Sequence, residues 1–235
     1  ESKQAKKVSN IIKSNHNEYI LRNKDIEETI HDVANAFSEP FSDSSQIPSF
    51  LLSKFAKKKG ICVYSAKDPG KVGAFRTYCP EIIKNDQLIF MVKNTAPTQG
   101  LKKTKKALIG TNPLAIGIPG TNFIYDSSTS TVATNAIRLK NKYNEKFNQT
   151  VGLDKKNRET NDPKKLLLNG AFLNTFASGP FWFKSFYLGV AIECIGALCG
   201  GKTSYRVGEH KGTRLFSKEG MLIILIDKKV FPYYR

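Results

Sequence analysis

A carboxylate followed at once by a run of hydroxyls stands at the end of a short apolar stretch. Phe123-Ile-Tyr-Asp126 leads into Ser127, Ser128, Thr129, Ser130 and Thr131. At the end of a strand such a cluster can bond ribose and pyrophosphate oxygens. The same residues can instead close an Asx or Ser/Thr turn ahead of a helix, and residue chemistry alone leaves both readings open. Just upstream, Gly110-Thr-Asn-Pro113 reads as a turn that delivers the chain into a buried strand, Leu114–Ile118. Other chemistry is thinly represented. Cys62, Cys79, Cys194 and Cys199 are isolated, and His16, His31 and His210 lie far apart in polar contexts. No metal-ligand spacing is present, so no metal site is assigned. Free core thiols point to a reducing compartment, the cytoplasm or an organelle matrix.

The elements that must position these residues can be read from periodicity. Residues 1–24 are polar and read as a loosely held arm. Asp25 and Glu28 form a capping box for a helix whose inward positions are Ile26, Ile30, Val33, Ala34 and Phe37. A second helix spans 48–59, with Pro48 near its start and Gly60 just beyond its end. Strands are predicted over 61–65, 87–93, 114–118 and 122–125, and a central strand over 221–226. Residues 138–162 read as loop, 163–172 as a helix opened by Asp162, and 184–199 as a helix buried on most sides. Strands and helices intermix without a repeat or a GxGxxG turn, which gives an α/β or α+β class and gives no support to an ordinary Rossmann site. The division is an N-terminal arm and helix, 1–47, and one domain, 48–235, with its core near 60–135.

Composition sets the outer bounds. The 235 residues carry 37 Lys+Arg against 20 Asp+Glu, a formal charge of +17. Thirty of the cations are Lys and seven are Arg. Bidentate phosphate recognition favours Arg, so scattered Lys reads as a solvated coat rather than a nucleic-acid face. The longest apolar run, 186–199, is short for a bilayer span and is interrupted by Glu193, so no membrane partner is expected. No charged-then-apolar leader opens the chain.

Taken together, the motifs resemble the type-2 malate/L-lactate dehydrogenase family. Gly110, Thr111, Asn112 and Pro113 match its GTNP turn, and Asp126, Thr129, Ser130 and Ala133 match its Asp-x-x-Thr-Ser-x-x-Ala element. Asn94-Thr-Ala-Pro97, Thr160-Asn-Asp-Pro163, the stretch Lys184–Glu193 and Gly220–Asp227 with Phe231 match four further elements in the same order. The resemblance covers roughly residues 50–235. It implies a mostly antiparallel, non-Rossmann nicotinamide-binding sheet flanked by helices. It also implies NAD or NADP as cofactor, a small 2-hydroxy or 2-oxo acid as substrate, and a homodimer. Carried over residue by residue, it gives Asn94, Thr95 and Lys184 to the substrate and Asn112, Asp126, Thr129 and Ser130 to the cofactor.

The departures concern the chemistry. Where the family has its catalytic histidine, this chain has Lys71, within Pro69-Gly-Lys-Val-Gly73. The family's upstream Ser-His-Gly substrate element has no counterpart in residues 1–50, its Lys-Gly-Tyr-Gly-Leu is here Lys184-Ser-Phe-Tyr-Leu188, and the chain ends soon after Phe231, where members continue. Oxidising a 2-hydroxy acid needs a base for the hydroxyl proton while hydride leaves. Imidazole titrates near neutrality, whereas a lysine in water, with a pKa of about 10.4, holds its proton. Two classes of function follow: an oxidoreductase in which Lys71 is the base or carbonyl polariser, or a catalytically inactive scaffold kept as a binding or assembly subunit.

Overall fold

A computed structural model describes residues 6, 10, 11, 22–36, 46–177, 179–203 and 218–232. Its centre is a five-stranded antiparallel sheet in the order β1-β10-β2-β5-β6. The strands are β1 (Ile61–Lys67), β2 (Gln87–Lys93), β5 (Leu114–Gly117), β6 (Ile124–Ser127) and β10 (Gly220–Asp227). A second sheet of two- and three-residue strands runs β4-β3-β9-β7-β8, from β3 (Gln99–Gly100), β4 (Ala107–Ile109), β7 (Gly152–Leu153), β8 (Glu159–Thr160) and β9 (Phe172–Leu173).

Alternation of buried and half-buried residues along β10 and the first part of β2 makes the large sheet. Met221, Ile223 and Leu225 of β10, Ile89 and Met91 of β2, Cys62 and Ala66 of β1 and Ala115 of β5 belong to one buried cluster. Val72, Phe75, Tyr78, Cys79 and Ile82 complete it, together with Ala56 of the helix α2 (Gln46–Lys59). Each large apolar side chain taken out of water there contributes about 1.5–3 kcal/mol. A buried amide fixes α2 on the sheet: Ser53 Oγ donates to Gln87 Oε1 at 2.6 Å, and Gln87 Nε2 donates to the Ser53 carbonyl at 2.7 Å. The helix ends as its sequence dictates, on Gly60 at φ 92°. Ahead of it, α1 (Asn23–Ala36) is tied to α2 by an exposed Lys54–Asp32 ion pair.

Helix α3 (Cys79–Lys84) follows a short 3₁₀ turn, Phe75–Thr77. Helix α4 is Thr134–Lys142, α5 is Pro163–Leu166, and the long α6 is Trp182–Leu198.

Several expectations need correction. The 138–162 stretch is not all loop, because Ile137 and Val151 pack with Leu166 and Leu173 in a second small core that organises α4, β7 and β8. The helix opened by Asp162, whose carboxylate accepts from Lys164 N–H, stops at Leu166. The chain turns at Gly170 (φ 88°), and Phe172 lies in β9. Helix α1 begins earlier than its capping box suggests: Asp25 accepts from the Arg22 N–H at 2.8 Å, and Ile30 is exposed while Val33 is buried. Ala34 and Phe37 lie outside the described side chains.

The largest difference is α6. It is buried along one edge only, and Phe183, Tyr187 and Leu198 are exposed. Counted from Gly179 to Leu198 it has 20 residues, enough by length and composition to cross a bilayer, so the shortness of its apolar run excludes nothing. What docks it in this fold is backbone proximity. A Cβ at Gly196 would stand 2.4 Å from Asn94 Oδ1, and one at Gly189 2.7 Å from Ile109 Cδ1.

Candidate active site

The loop between β1 and the 3₁₀ turn carries Lys71, and it is fastened on all sides. The Asp68 N–H donates to the Glu219 carbonyl at 2.8 Å. Lys93 Nζ donates to the Gly70 carbonyl at 2.7 Å, and the phenol of buried Tyr78 donates to the Val72 carbonyl at 2.8 Å. At the far end the Arg76 N–H donates to Asp126 Oδ2 at 2.9 Å. Both carbonyls flanking Lys71 are thus held by side chains from the core. Asp68, Gly70 and Gly73 all have positive φ, a backbone path that two glycines permit and the anchors enforce. Lys71 itself is exposed, with no ion pair among the described residues.

Asp126 is the second member of this cluster. It lies on β6, half-buried, and binds the loop through one oxygen. Its other oxygen has no hydrogen bond among the described residues. Its charge also reaches into the core. The Cys79 thiol is pushed up to about 12 by burial first and by Asp126 second, and burial alone pushes Cys62 up to about 11.

The remaining residues assigned to substrate or cofactor form an internal lattice. Asn94 is fully buried; its amide donates to the Lys202 carbonyl at 2.6 Å and accepts from the Gly220 N–H at 2.7 Å. Thr95 Oγ1 accepts from the Thr111 N–H, and its N–H donates to Asn112 Oδ1, each at 3.0 Å. Asn112, at φ 39°, also donates to the Gly189 carbonyl and to Glu193 Oε2, both at 2.9 Å. Thr129 Oγ1 donates to the Thr111 carbonyl and accepts from Gln99 Nε2. Ser130 Oγ donates to the Val132 carbonyl at 2.8 Å. These hydroxyls and amides stitch turns, the alternative use open at the level of sequence, though no side chain caps α4. Lys184 stands apart, exposed on α6 with its ammonium 5.2 Å from the Phe181 ring centre.

A nicotinamide dinucleotide therefore fits these residues at one side chain, Asp126, whose second oxygen can accept from a ribose hydroxyl. Asn112, Thr129 and Ser130 have side chains already committed within the protein, and support the turns on which Asp126 rides.

Sequence reasoning missed Lys93 and Glu219. Their nitrogen and oxygen are 2.6 Å apart. Each flanks an apolar strand and reads as an ordinary polar boundary. The one signal was that Lys93 directly precedes the Asn94-Thr95 motif.

The family model for malate/L-lactate dehydrogenase matches residues 51–233, well over half of the chain. The chain belongs to the malate/L-lactate dehydrogenase family. A malate/(S)-sulfolactate dehydrogenase from Methanothermus fervidus is 29% identical over 180 residues, 75% of this chain and 51% of that protein. A Delta(1)-pyrroline-2-carboxylate/Delta(1)-piperideine-2-carboxylate reductase from Pseudomonas syringae pv. tomato is 24% identical over 203 residues, 83% and 56% of the two chains. Among solved structures, sulfolactate dehydrogenase from Methanocaldococcus jannaschii superposes with TM-score 0.60 at 27% identity, covering 80% of this chain and 55% of the other. Malate dehydrogenase from Entamoeba histolytica gives 0.71 at 21%, covering 80% and 56%, a likeness of fold. The chain spans about half the length of the relatives it matches. Residues 1–64 match a second model, asparagine synthase, which overlaps the dehydrogenase match across the end of α2 and the start of β1.

Proposed function

We propose that this chain carries the proton-handling part of a nicotinamide-dependent oxidoreductase of small 2-hydroxy and 2-oxo acids, with Lys71 as its working group. The observation that carries the reading is the loop 68–76. Four hydrogen bonds from outside the loop or its far end fix a backbone whose exposed amine stands where the resemblance puts the family's histidine. When bound, NAD(H) or NADP(H) supplies or accepts the hydride. Lys71 acts at the substrate oxygen, where its amine would give a proton to the carbonyl oxygen while the carbonyl carbon takes the hydride. A 2-oxo acid, a hydride and that proton give the 2-hydroxy acid. The same amine, having given up that proton, would take the hydroxyl proton when the reaction runs in reverse. The relatives bear both dehydrogenase and reductase names.

In this reading Asp126 accepts from a cofactor ribose and Lys184 pairs with the substrate carboxylate. Asn94, Thr95, Asn112, Thr129 and Ser130 act through the backbone they hold. The dehydrogenase-like unit is residues 48–235, residues 1–47 lie outside it, and the exposed apolar face of α6 closes on a second copy in a homodimer. Four free thiols suit a reducing compartment. The test is to supply NADH or NADPH with pyruvate, oxaloacetate, sulfopyruvate and a cyclic imino acid, and follow nicotinamide absorbance. Turnover of one of them, lost in Asp126→Ala, supports the reading; an unchanged absorbance with every pair overturns it.

One observation favours a non-catalytic scaffold instead. Residues 1–64 match a different family, and they span the region where the upstream substrate element is missing. Calorimetric binding of NADH without turnover of any acid is the signature of that alternative.

A further inference from the structure

Among the described ion pairs, Lys93–Glu219 is the one with both partners largely out of water, at 8% and 13% side-chain exposure. A buried pair stabilises a fold only when its remaining donors and acceptors are also satisfied, because desolvation of the two charges opposes their attraction. Beyond Glu219, Lys93 places a second of its three N–H donors on the Gly70 carbonyl. Glu219 grips the same loop through its backbone, accepting from the Asp68 N–H. The two residues meet at one end of the sheet: Lys93, the last residue of β2, pairs with Met221 of β10, and Glu219 immediately precedes β10. The pair therefore joins two neighbouring central strands to both ends of the segment 68–70, one residue short of Lys71. A neutral side chain at 93 would leave the Glu219 carboxylate without its ammonium and the Gly70 carbonyl without its donor. The loop has reason to move once released, because Asp68, at φ 51°, holds a conformation that side-chain-bearing residues rarely adopt.

We propose that Lys93 is a positioning residue: clamped by Glu219, its ammonium fixes the Gly70 carbonyl and with it the direction in which the Lys71 side chain leaves the loop. The consequence for turnover rests on the oxidoreductase reading; the consequence for the loop does not.

The test uses the full chain with Lys93→Met, Lys93→Arg and Glu219→Gln, read by hydrogen–deuterium exchange and by nicotinamide turnover. In Lys93→Met, exchange over residues 68–73 should rise about tenfold or more while β2 and β10 keep their protection. The kcat should fall about 10- to 100-fold, with KM for the acid nearly unchanged, as for a misplaced rather than missing reacting group. Lys93→Arg should recover most of both, and Glu219→Gln, which keeps the shape and loses the charge, should release the same loop if Lys93→Met does not fold. Unchanged exchange over 68–73, or a rise shared by the whole sheet, would overturn the positioning role. A wild-type protein that turns over no acid removes the oxidoreductase reading, and the exchange result still decides the clamp.

Discussion

Around Lys71 the backbone is held more firmly than the side chain it presents, an arrangement suited to placing an amine where it can work. The loop was legible in the sequence only as a departure, a lysine between two glycines where the resemblance calls for histidine. Nothing in the residue types revealed that Tyr78 and Lys93 would hold the carbonyls on either side, because one contact depends on how the chain folds back within six residues and the other comes from a strand 23 residues on. The thiols show the same limit. Cys62 and Cys194 both sit in apolar runs, yet one is buried and the other exposed. Burial disfavours thiolate, so Cys62 and Cys79 hold their protons to about 11 and about 12. The unfolded chain would release these protons near the ordinary value of 9.0, so folded-state stability should decline as pH rises from 9 towards those values. At pH 8, iodoacetamide followed by mass spectrometry should label Cys194 and spare Cys62 and Cys79. Equal labelling of all three would contradict the burial that raises the two thiols.

At the scale of elements, α6 is placed by what it lacks. Gly189 and Gly196 let its backbone approach Ile109 and Asn94 more closely than any side chain allows, and Asn112 reaches across to the Gly189 carbonyl and Glu193. Alanine is ordinarily the better helix former, by about 1 kcal/mol over glycine. Gly196→Ala should nevertheless destabilise the protein by about 1–3 kcal/mol, because its Cβ meets the buried amide that clasps Lys202 and Gly220. A shift of the urea midpoint to higher concentration would show that this close approach is not required. Strands such as Gln87–Lys93 are readable from their apolar pattern and boundaries. The two-residue strands around β7 and β9 are not, because they exist through pairing with distant partners rather than through local propensity.

For the molecule as a whole, the sequence shows a basic, mixed α/β chain, and the family model covers its dehydrogenase-like part. What periodicity could not show is that α6, apolar almost all round, keeps much of its surface uncovered. An apolar helix predicts burial without saying against what. Phe183, Tyr187 and Leu198 are exposed on one side of α6, the surface on which the proposed second copy would close. The homodimer proposed above should therefore fall apart in a Tyr187→Lys, Leu198→Lys double variant. Light scattering after size exclusion should give twice the 26.2 kDa chain mass for the wild type and the single mass for the variant. A wild type already at the single mass would remove the dimer.

The most direct test of Lys71 is to give the loop back an imidazole. NADH-driven reduction of a 2-oxo acid and NAD-driven oxidation of the matching 2-hydroxy acid would be measured at pH 7 for the wild type, Lys71→Ala and Lys71→His. Removal of a general acid should cost Lys71→Ala about 10²–10⁴ in the rate of reduction. Lys71→His, able to accept a proton at this pH, should oxidise the hydroxy acid at least tenfold faster than the wild type. Equal rates for all three proteins in both directions would contradict a proton-transfer role for Lys71.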